Sequence, residues 1–400
     1  MQLGRSIMHR IKIINGNIIT PYRLLERGTI VIEDGVISCV SKEEVAVQEA
    51  EVIDAKGHYV APGFIDIHTH GGGGFDFMDA TLEAYLGAAK THAIYGTTAI
   101  VPTTLTSTNE GLKQSFEAFR KSKSLNKLGA ELIGLHLEGP YFSPEQKGAQ
   151  DPRYIREPLR EEYEQILDWS KDIIRWSAAP EITGVMEFAR YARNKGVLMS
   201  IGHSDAIGEK VAEAFENGFS HITHLYSAMS GVKRINALRV SGVIESAFLL
   251  DEMTVEVIAD GIHIPADLLN LVYKIKGASK TVLITDSMRA AGMGEGPSIL
   301  GSLKDGMEVF VEDGVAKLPD RKAFAGSVAT ADRLVRTMVK TAGVPLIDAI
   351  RMISSTPAKV IGIDDRKGSL VPGKDGDVVI FDGDIDIKAT IIKGKTVYIK

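Results

Sequence analysis

Two histidines one residue apart stand in Pro62-Gly63-Phe64-Ile65-Asp66-Ile67-His68-Thr69-His70. Phe64 to His70 reads as a β-strand, and side chains at i and i+2 share one strand face. His68 and His70 therefore point the same way from the strand's C-terminal end. Gly71 to Gly74 follow, so the chain leaves the strand with little side-chain bulk around them. Two neutral imidazoles converging beside an open loop suit a divalent metal. A pair of packed or surface histidines is the plain alternative.

The same residue types recur where other apolar runs end. Leu135-His136-Leu137-Glu138-Gly139-Pro140 brings Glu138, and Ile201-Gly202-His203-Ser204-Asp205 brings His203. His221-Ile222-Thr223-His224, Asp260-Gly261-Ile262-His263 and Ile284-Thr285-Asp286-Ser287 add three more imidazoles and two carboxylates. A mixed imidazole and carboxylate set binds Zn, Fe, Mn or Co, and ligand type alone does not choose among them. Each member has a plainer reading. Glu138 is otherwise a solvated charge at a loop start, and Asp205 a cap for the next helix. His221 and His224 differ in strand parity, so His224 is taken as the site residue and His221 as packing. His136 shares the face of Glu138 one layer deeper and reads as a core or supporting histidine. His9, His58 and His92 belong to no constellation. Asp286 reads as a metal ligand, a general base, or both.

Such residues meet only if the elements that carry them converge. The strands predicted are Phe64–His70, Thr98–Pro102, Leu132–Glu138, Ile173–Pro180, Leu198–His203, His221–Leu225, Val255–Asp260 and Val282–Asp286. Helical stretches such as Thr81–Tyr95, Asn109–Ser122, Arg160–Asp168 and Gly184–Lys195 separate them. Eight strands alternating with helices predict an α/β fold, a TIM (β/α)8 barrel, whose active site lies at the C-terminal strand ends. A doubly wound open sheet is the alternative, but no G-x-G-x-x-G follows an early strand. Short strands at Ile11–Ile14, Thr29–Glu33, Val36–Val40 and Glu51–Ile53, separated by Asn15-Gly16, Asp34-Gly35 and Lys56-Gly57, open the chain. Asp377–Phe381 and Ala389–Ile392 close it. The two ends, residues 1–61 and 365–400, are expected to meet as one small β-sandwich-like domain, with the barrel at 62–364.

Composition sets the outer limits. The chain has 400 residues, 44% hydrophobic and 24% charged, as in ordinary globular enzymes. A net charge of −6 leaves no basic footprint, so nucleic acid is not expected as a partner. The lone cysteine, Cys39, excludes an internal disulfide and reads as a packed thiol in a reducing cytoplasm. Met1-Gln2-Leu3-Gly4-Arg5 lacks the apolar run of a signal peptide, and Met8 is a second possible start. No stretch of about 18 apolar residues is present, so no membrane span is expected.

The segments PGFIDIHTHG, HLEGPYFSPEQKGAQ, GHSDA, THLYSAM, IADGIH and ITDSM resemble the amidohydrolase superfamily. Within it they resemble the N-acetylglucosamine-6-phosphate deacetylases, from about Pro62 to Pro357. The resemblance implies a metal-dependent amide hydrolase acting on an amino-sugar phosphate, with one or two divalent ions per subunit and a homodimer. It places the principal ion on Glu138, His203 and His224, and a second on His68 and His70. No lysine stands at the Glu138 position, so a carbamylated bridging lysine is not expected. Asp286 would be the base and then the acid. Ala149, Gln150, Ser227, Ala228, Arg239, His263, Phe324, Ala325 and Gly326 would bind substrate. Three departures stand out. Ser227 replaces the usual Asn. A longer loop precedes Arg239, with Arg234 a competitor for the substrate phosphate. Gln150 follows Lys147-Gly148-Ala149 where some members have histidine. These departures leave room for another N-acetylated sugar, such as the C4 epimer N-acetylgalactosamine 6-phosphate, or another amidohydrolase substrate. A barrel lyase or a catalytically dead binding protein is the reading from another class.

Overall fold

The computed structural model describes residues 9–400; the opening segment, Met8 included, lies outside the described residues. Eight parallel strands form the barrel: β1 Phe64–Thr69, β2 Thr97–Thr104, β3 Leu135–Glu138, β4 Ile173–Ala178, β5 Leu198–Ile201, β6 Phe219–Ile222, β7 Thr254–Val257 and β8 Thr281–Leu283. Each pairs with the next in chain order. The seam between β8 and β1 closes just past the strand ends. There Asp286 N–H donates to His68 O at 2.9 Å, and His70 N–H to Ser287 O at 2.9 Å. The predicted strands sit within a few residues of these. Most end earlier than predicted, because the site residues occupy the turns that follow them.

Helices cover the outside. Leu82–Ile94 starts on Thr81, whose side chain accepts from Ala84 N–H, and Asn109–Leu125 starts on Thr108 in the same way. Apolar residues of the helices and of the outward strand faces share one large core, including Trp176, Phe188, Leu137 and Ile201. Strand alternation then turns the other face into the barrel. That interior is polar. Asp66, His68, His136, Arg175, Ser177, Ser200, His221, Thr223 and Glu256 are all buried, where barrels of this kind usually stack branched apolar side chains.

Both chain ends join one mixed sheet. Arg10–Ile19, Leu24–Glu33, Val36–Ser41, Glu51–Asp54 and Tyr59–Pro62 meet Val378–Phe381, Ile387–Ile392 and Lys395–Ile399 through the pairing of Tyr59–Pro62 with Val378–Phe381. Ile11, Ile32, Val60, Val378 and Ile391 share its core. Cys39 is half-buried on one of these strands. Further small sheets were not anticipated. A three-stranded one at Gly296–Leu300, Met307–Glu312 and Val315–Lys317 follows β8, and a hairpin pairs Lys233–Ile235 with Leu238–Val240. The hairpin's strands have three residues each, and Gly296, Pro297 and Gly306 interrupt the apolar pattern of the other sheet. No described helix is long and apolar enough to cross a membrane.

A buried ion network ties the two large sheets together. Lys367 Nζ lies 2.8 Å from Glu131 Oε2, beside β2, and 2.9 Å from Asp375 Oδ2. It also binds Asp377, which leads into Val378–Phe381. Burial alone would raise the Glu131 pKa, but Lys367 and Arg366 outweigh it and hold the group at about 2, below its ordinary 4.5. A depressed folded-state value contributes stability above the unfolded pKa, and that stability is lost as pH falls towards 2. Glu131→Gln should lower stability at pH 7 by roughly 1–3 kcal/mol. It should also flatten the decline between about pH 5 and pH 2, read from urea unfolding at each pH.

Candidate active site

The barrel mouth gathers the acids and imidazoles around Glu138, which ends β3 and is 2% exposed. Its Oε1 lies 3.1 Å from His224 Nε2, 3.3 Å from His203 Nε2 and 3.4 Å from His68 Nε2; Oε2 lies 3.3 Å from His70 Nε2. Asp286 Oδ1 closes the other side, 3.3 Å from His68 Nε2 and 3.1 Å from His70 Nε2. Two ligand triads result, His68–His70–Glu138 and Glu138–His203–His224, with Glu138 common to both.

Local backbone geometry aims these side chains. His203, His224 and Asp286 stand in the left-handed region, with φ of 48°, 30° and 46°. Histidine and aspartate enter that region more readily than most residues, yet each instance costs about 1–3 kcal/mol and persists only where its surroundings hold it. Each follows its strand by two or three residues, and the reversal points its side chain across the mouth rather than outward. Gly71 serves the same end after β1. A Cβ there would meet Phe75 O at 2.0 Å, so the tight hairpin of Gly71–Gly72 with Phe75–Asp76 requires glycine.

Electrostatics follow from proximity. Burial disfavours charge on His68, but Asp286 and Glu138 outweigh it and raise its pKa to about 9. Burial works against Asp286 ionisation as well, yet His68 and His70 lower its pKa below the usual carboxylate value, so it is an ionised base at neutral pH. The donor set fits a divalent ion. His68 Nε2 is buried, lacks a hydrogen-bond partner and faces two carboxylates. His203 Nε2 and His224 Nε2 face one another at 3.2 Å, a contact that a shared cation would explain.

A cleft of about 430 Å³ opens over this centre. His70, Glu138, His203, His224 and Asp286 form its floor, and Ala149, Gln150, Ser227, Ala228, His263, Phe324 and Gly326 line its walls. Gln150 Nε2 donates to Glu138 Oε2 at 2.7 Å, and its Oε1 accepts from Thr106 N–H at 2.8 Å. His263 Nδ1 lies 2.8 Å from Asp260 Oδ2, and its ring packs on Phe324 at 4.6 Å. Ala325 lies behind its neighbours, fully buried, bonded through its N–H to Ala316 O.

Arg239 is not brought to the cleft. It sits opposite Arg234 on the exposed hairpin, which turns at Asn236 and Ala237, both with positive φ. No lysine or arginine lines the cleft among the described residues. A substrate phosphate bound here meets Arg239 only if the hairpin moves or another copy of the chain supplies it. Asp205 does not cap the following helix. It accepts from Lys233 Nζ at 2.6 Å and Gln146 Nε2 at 3.1 Å, and Gln146 O lies 2.9 Å from His203 Nδ1. His136 and His221 are buried beneath the centre, bonded to Thr103 and Ser177, and to Thr254. His92 is buried against Thr69 and Gly71 O. Sequence reasoning passed over Arg175 and Glu256. Their one visible signal is opposite charge inside apolar strands, in Ile173-Ile174-Arg175-Trp176 and Thr254-Val255-Glu256-Val257.

A barrel with this mouth belongs to the metal-dependent hydrolases in class. The profile of the Amidohydrolase family matches residues 59–397, and the chain belongs to that family. It is 36% identical to the N-acetylglucosamine-6-phosphate deacetylase of Bacillus subtilis (strain 168), over 96% of each chain. It is 33% identical to the N-acetylgalactosamine-6-phosphate deacetylase of Escherichia coli O157:H7, over 91% of this chain and 93% of that one. The crystal structure of the N-acetylglucosamine-6-phosphate deacetylase from Pasteurella multocida superposes with a TM-score of 0.90 at 30% identity, covering 98% of this chain and 100% of that one.

Two outcomes are expected. His203→Ala or His224→Ala should abolish turnover and remove bound metal by elemental analysis, whereas His68→Ala should cost one ion where the wild type carries two. Full metal content in the first two would sink the assignment. Asp286→Asn keeps the shape and removes the base, so kcat should fall by about 10²–10⁴ with folding intact by circular dichroism.

Proposed function

We propose that this chain hydrolyses the acetamide of N-acetyl-D-glucosamine 6-phosphate to D-glucosamine 6-phosphate and acetate. The observation that carries the reading is the ionised Asp286 beside a Glu138-centred ligand set, in a barrel close to solved deacetylases at nearly full length. Glu138, His203 and His224 would hold the principal divalent ion, and His68 and His70 a second, with Zn, Fe, Mn and Co all compatible with these donors. When bound, such an ion polarises a carbonyl and lowers the pKa of water towards neutrality.

The chain's own groups do the rest. Asp286 Oδ1, on the cleft floor, takes the proton of the attacking water and returns it to the departing nitrogen. Gln150 has a second N–H on Nε2 besides the one given to Glu138, and it would meet the acetyl oxygen as charge develops. Asp260 anchors His263 through Nδ1 and leaves Nε2 for the phosphate. Ala228 and Ser227 border the sugar, with Phe324 and Gly326 on the opposite wall. The partner proposed is this small molecule, with no nucleic acid and no membrane; the single thiol fits the cytoplasm, and the family resemblance fits a homodimer.

Ser227 favours one second reading. It lines the cleft in place of the asparagine expected from the resemblance, and one relative acts on N-acetylgalactosamine 6-phosphate. Acetate release from both 6-phosphates, and from unphosphorylated N-acetylglucosamine, decides between them. The gluco-epimer should give the highest kcat/KM. His263→Ala should lower it strongly for the phosphorylated sugar and barely alter the rate on the unphosphorylated one, which never makes that contact; Arg239→Ala should do the same if the hairpin moves to the phosphate or another copy supplies it. Arg239→Lys should not fully restore it, because a bidentate contact is geometric as well as electrostatic. The same selectivity in Arg234→Ala instead would transfer the phosphate role to Arg234. A preference for the unphosphorylated sugar would overturn the named substrate.

A further inference from the structure

Beneath the ligand triads, fully buried in the barrel, Arg175 on β4 and Glu256 on β7 form an ion pair. All five guanidinium N–H groups of Arg175 have acceptors. Nε donates to Ser200 Oγ at 3.0 Å, and Nη1 to Ile67 O at 3.1 Å and to Glu256 Oε1. Nη2 donates to Thr223 Oγ1 at 3.0 Å and to Glu256 Oε2 at 2.9 Å. A guanidinium has no other donors, so this fork cannot rotate without losing a bond. The Glu256 carboxylate is held rigidly in turn.

Glu256 Oε2 is aimed upward, at the ligand sets. It lies 3.2 Å from His68 Nδ1 and accepts the backbone N–H of His224 at 3.3 Å. An ionised carboxylate only accepts, so His68 must carry its proton on Nδ1. Nε2, 3.4 and 3.3 Å from Glu138 and Asp286, is then the nitrogen whose proton a bound ion would replace. Carboxylates that take the far N–H of a ligating imidazole fix its tautomer and orientation and raise its basicity. A purely structural role explains the pair less well. Buried ion pairs contribute little net stability against apolar packing of similar volume, and a neutral acceptor would satisfy the buried His68 Nδ1 without bringing a charge into the barrel.

We infer that Glu256, clamped by Arg175, is a positioning residue that makes His68 a competent Nε2 ligand for the ion held with His70. This rests on the two-ion reading above, so the test includes the variant that checks it. Metal-free protein is titrated with Zn²⁺ against a chelating dye, giving the number of ions and the affinity of each. Wild type should bind two ions and His68→Ala one. Arg175→Met/Glu256→Met removes both charges and leaves none orphaned. It should keep the thermal midpoint within a few degrees and hold the first ion unchanged. It should bind the second about 10- to 100-fold more weakly. Glu256→Gln, which retains an acceptor, should fall between it and wild type. If His68→Ala loses an ion while the double variant binds both with wild-type affinity, the positioning role is overturned. Equal weakening of both ions also overturns it, since the pair then acts on the barrel as a whole. Two ions retained in His68→Ala would overturn the two-ion reading and the inference with it. Long-range ¹H–¹⁵N spectra of zinc-loaded, histidine-labelled wild type need no variant. His68 should be protonated at Nδ1 and metallated at Nε2, and metallation at Nδ1 overturns the assignment.

Discussion

Burying an ionised carboxylate is costly unless opposite charge and hydrogen bonds surround it, and this barrel buries three around one centre. Glu138 and Asp286 are met by four imidazoles and the Gln150 amide, while Glu256 is met by Arg175. Remove the counter-groups and the carboxylates lose their reason to be ionised. Remove the carboxylates and the imidazoles lose what orients them. Strand register, the closing seam from β8 to β1 and three left-handed residues at the mouth all serve this mutual satisfaction. The same arrangement leaves nitrogen and oxygen lone pairs converging on a small volume, which is what a divalent cation requires.

The polar layer below extends this logic into the scaffold. A barrel filled with branched apolar side chains would be stable but would leave His68 without an anchor. Here Arg175 links residues of β1, β5 and β7 and Thr223, just past β6, from its own place on β4. Apolar packing between helices and outward strand faces supplies cohesion, so the interior is free to hold a directional network. That division assigns stability to the outside of the sheet and chemistry to the inside.

The cleft walls above the centre are built from different elements. Ser227, Phe324 and Gly326 sit on loops beyond the strands, and the Lys233–Val240 hairpin stands exposed beside them. Loops accept change without disturbing the centre. A family can therefore keep one hydrolytic centre while altering the sugar it admits, as the differing substrates named for two relatives illustrate.

Much of this was legible in the chain itself. Period-two strands ending in histidine or acid, spaced by helical segments, determine the barrel and the level at which His68, His70, Glu138, His203, His224 and Asp286 meet. Alternation does not separate His224 from His221: His221 faces the barrel interior, 3.3 Å from Glu256 Oε1, and His224 reaches the mouth because its left-handed backbone breaks the strand's parity. The three-stranded sheet after β8 and the Arg234–Arg239 hairpin went unseen: the hairpin's strands have three residues each, and Gly296, Pro297 and Gly306 interrupt the apolar pattern of the other sheet. Arg239 read as a cleft residue because sequence order places it near the mouth, whereas the hairpin's turn carries it away. Arg175 and Glu256 read as isolated charges in apolar strands, separated by 81 residues. Only closure of the barrel brings them together. Local pattern determines which way each side chain leaves its strand; which side chains then meet across the barrel is a long-range property of the closed sheet, and the tertiary structure alone decides it.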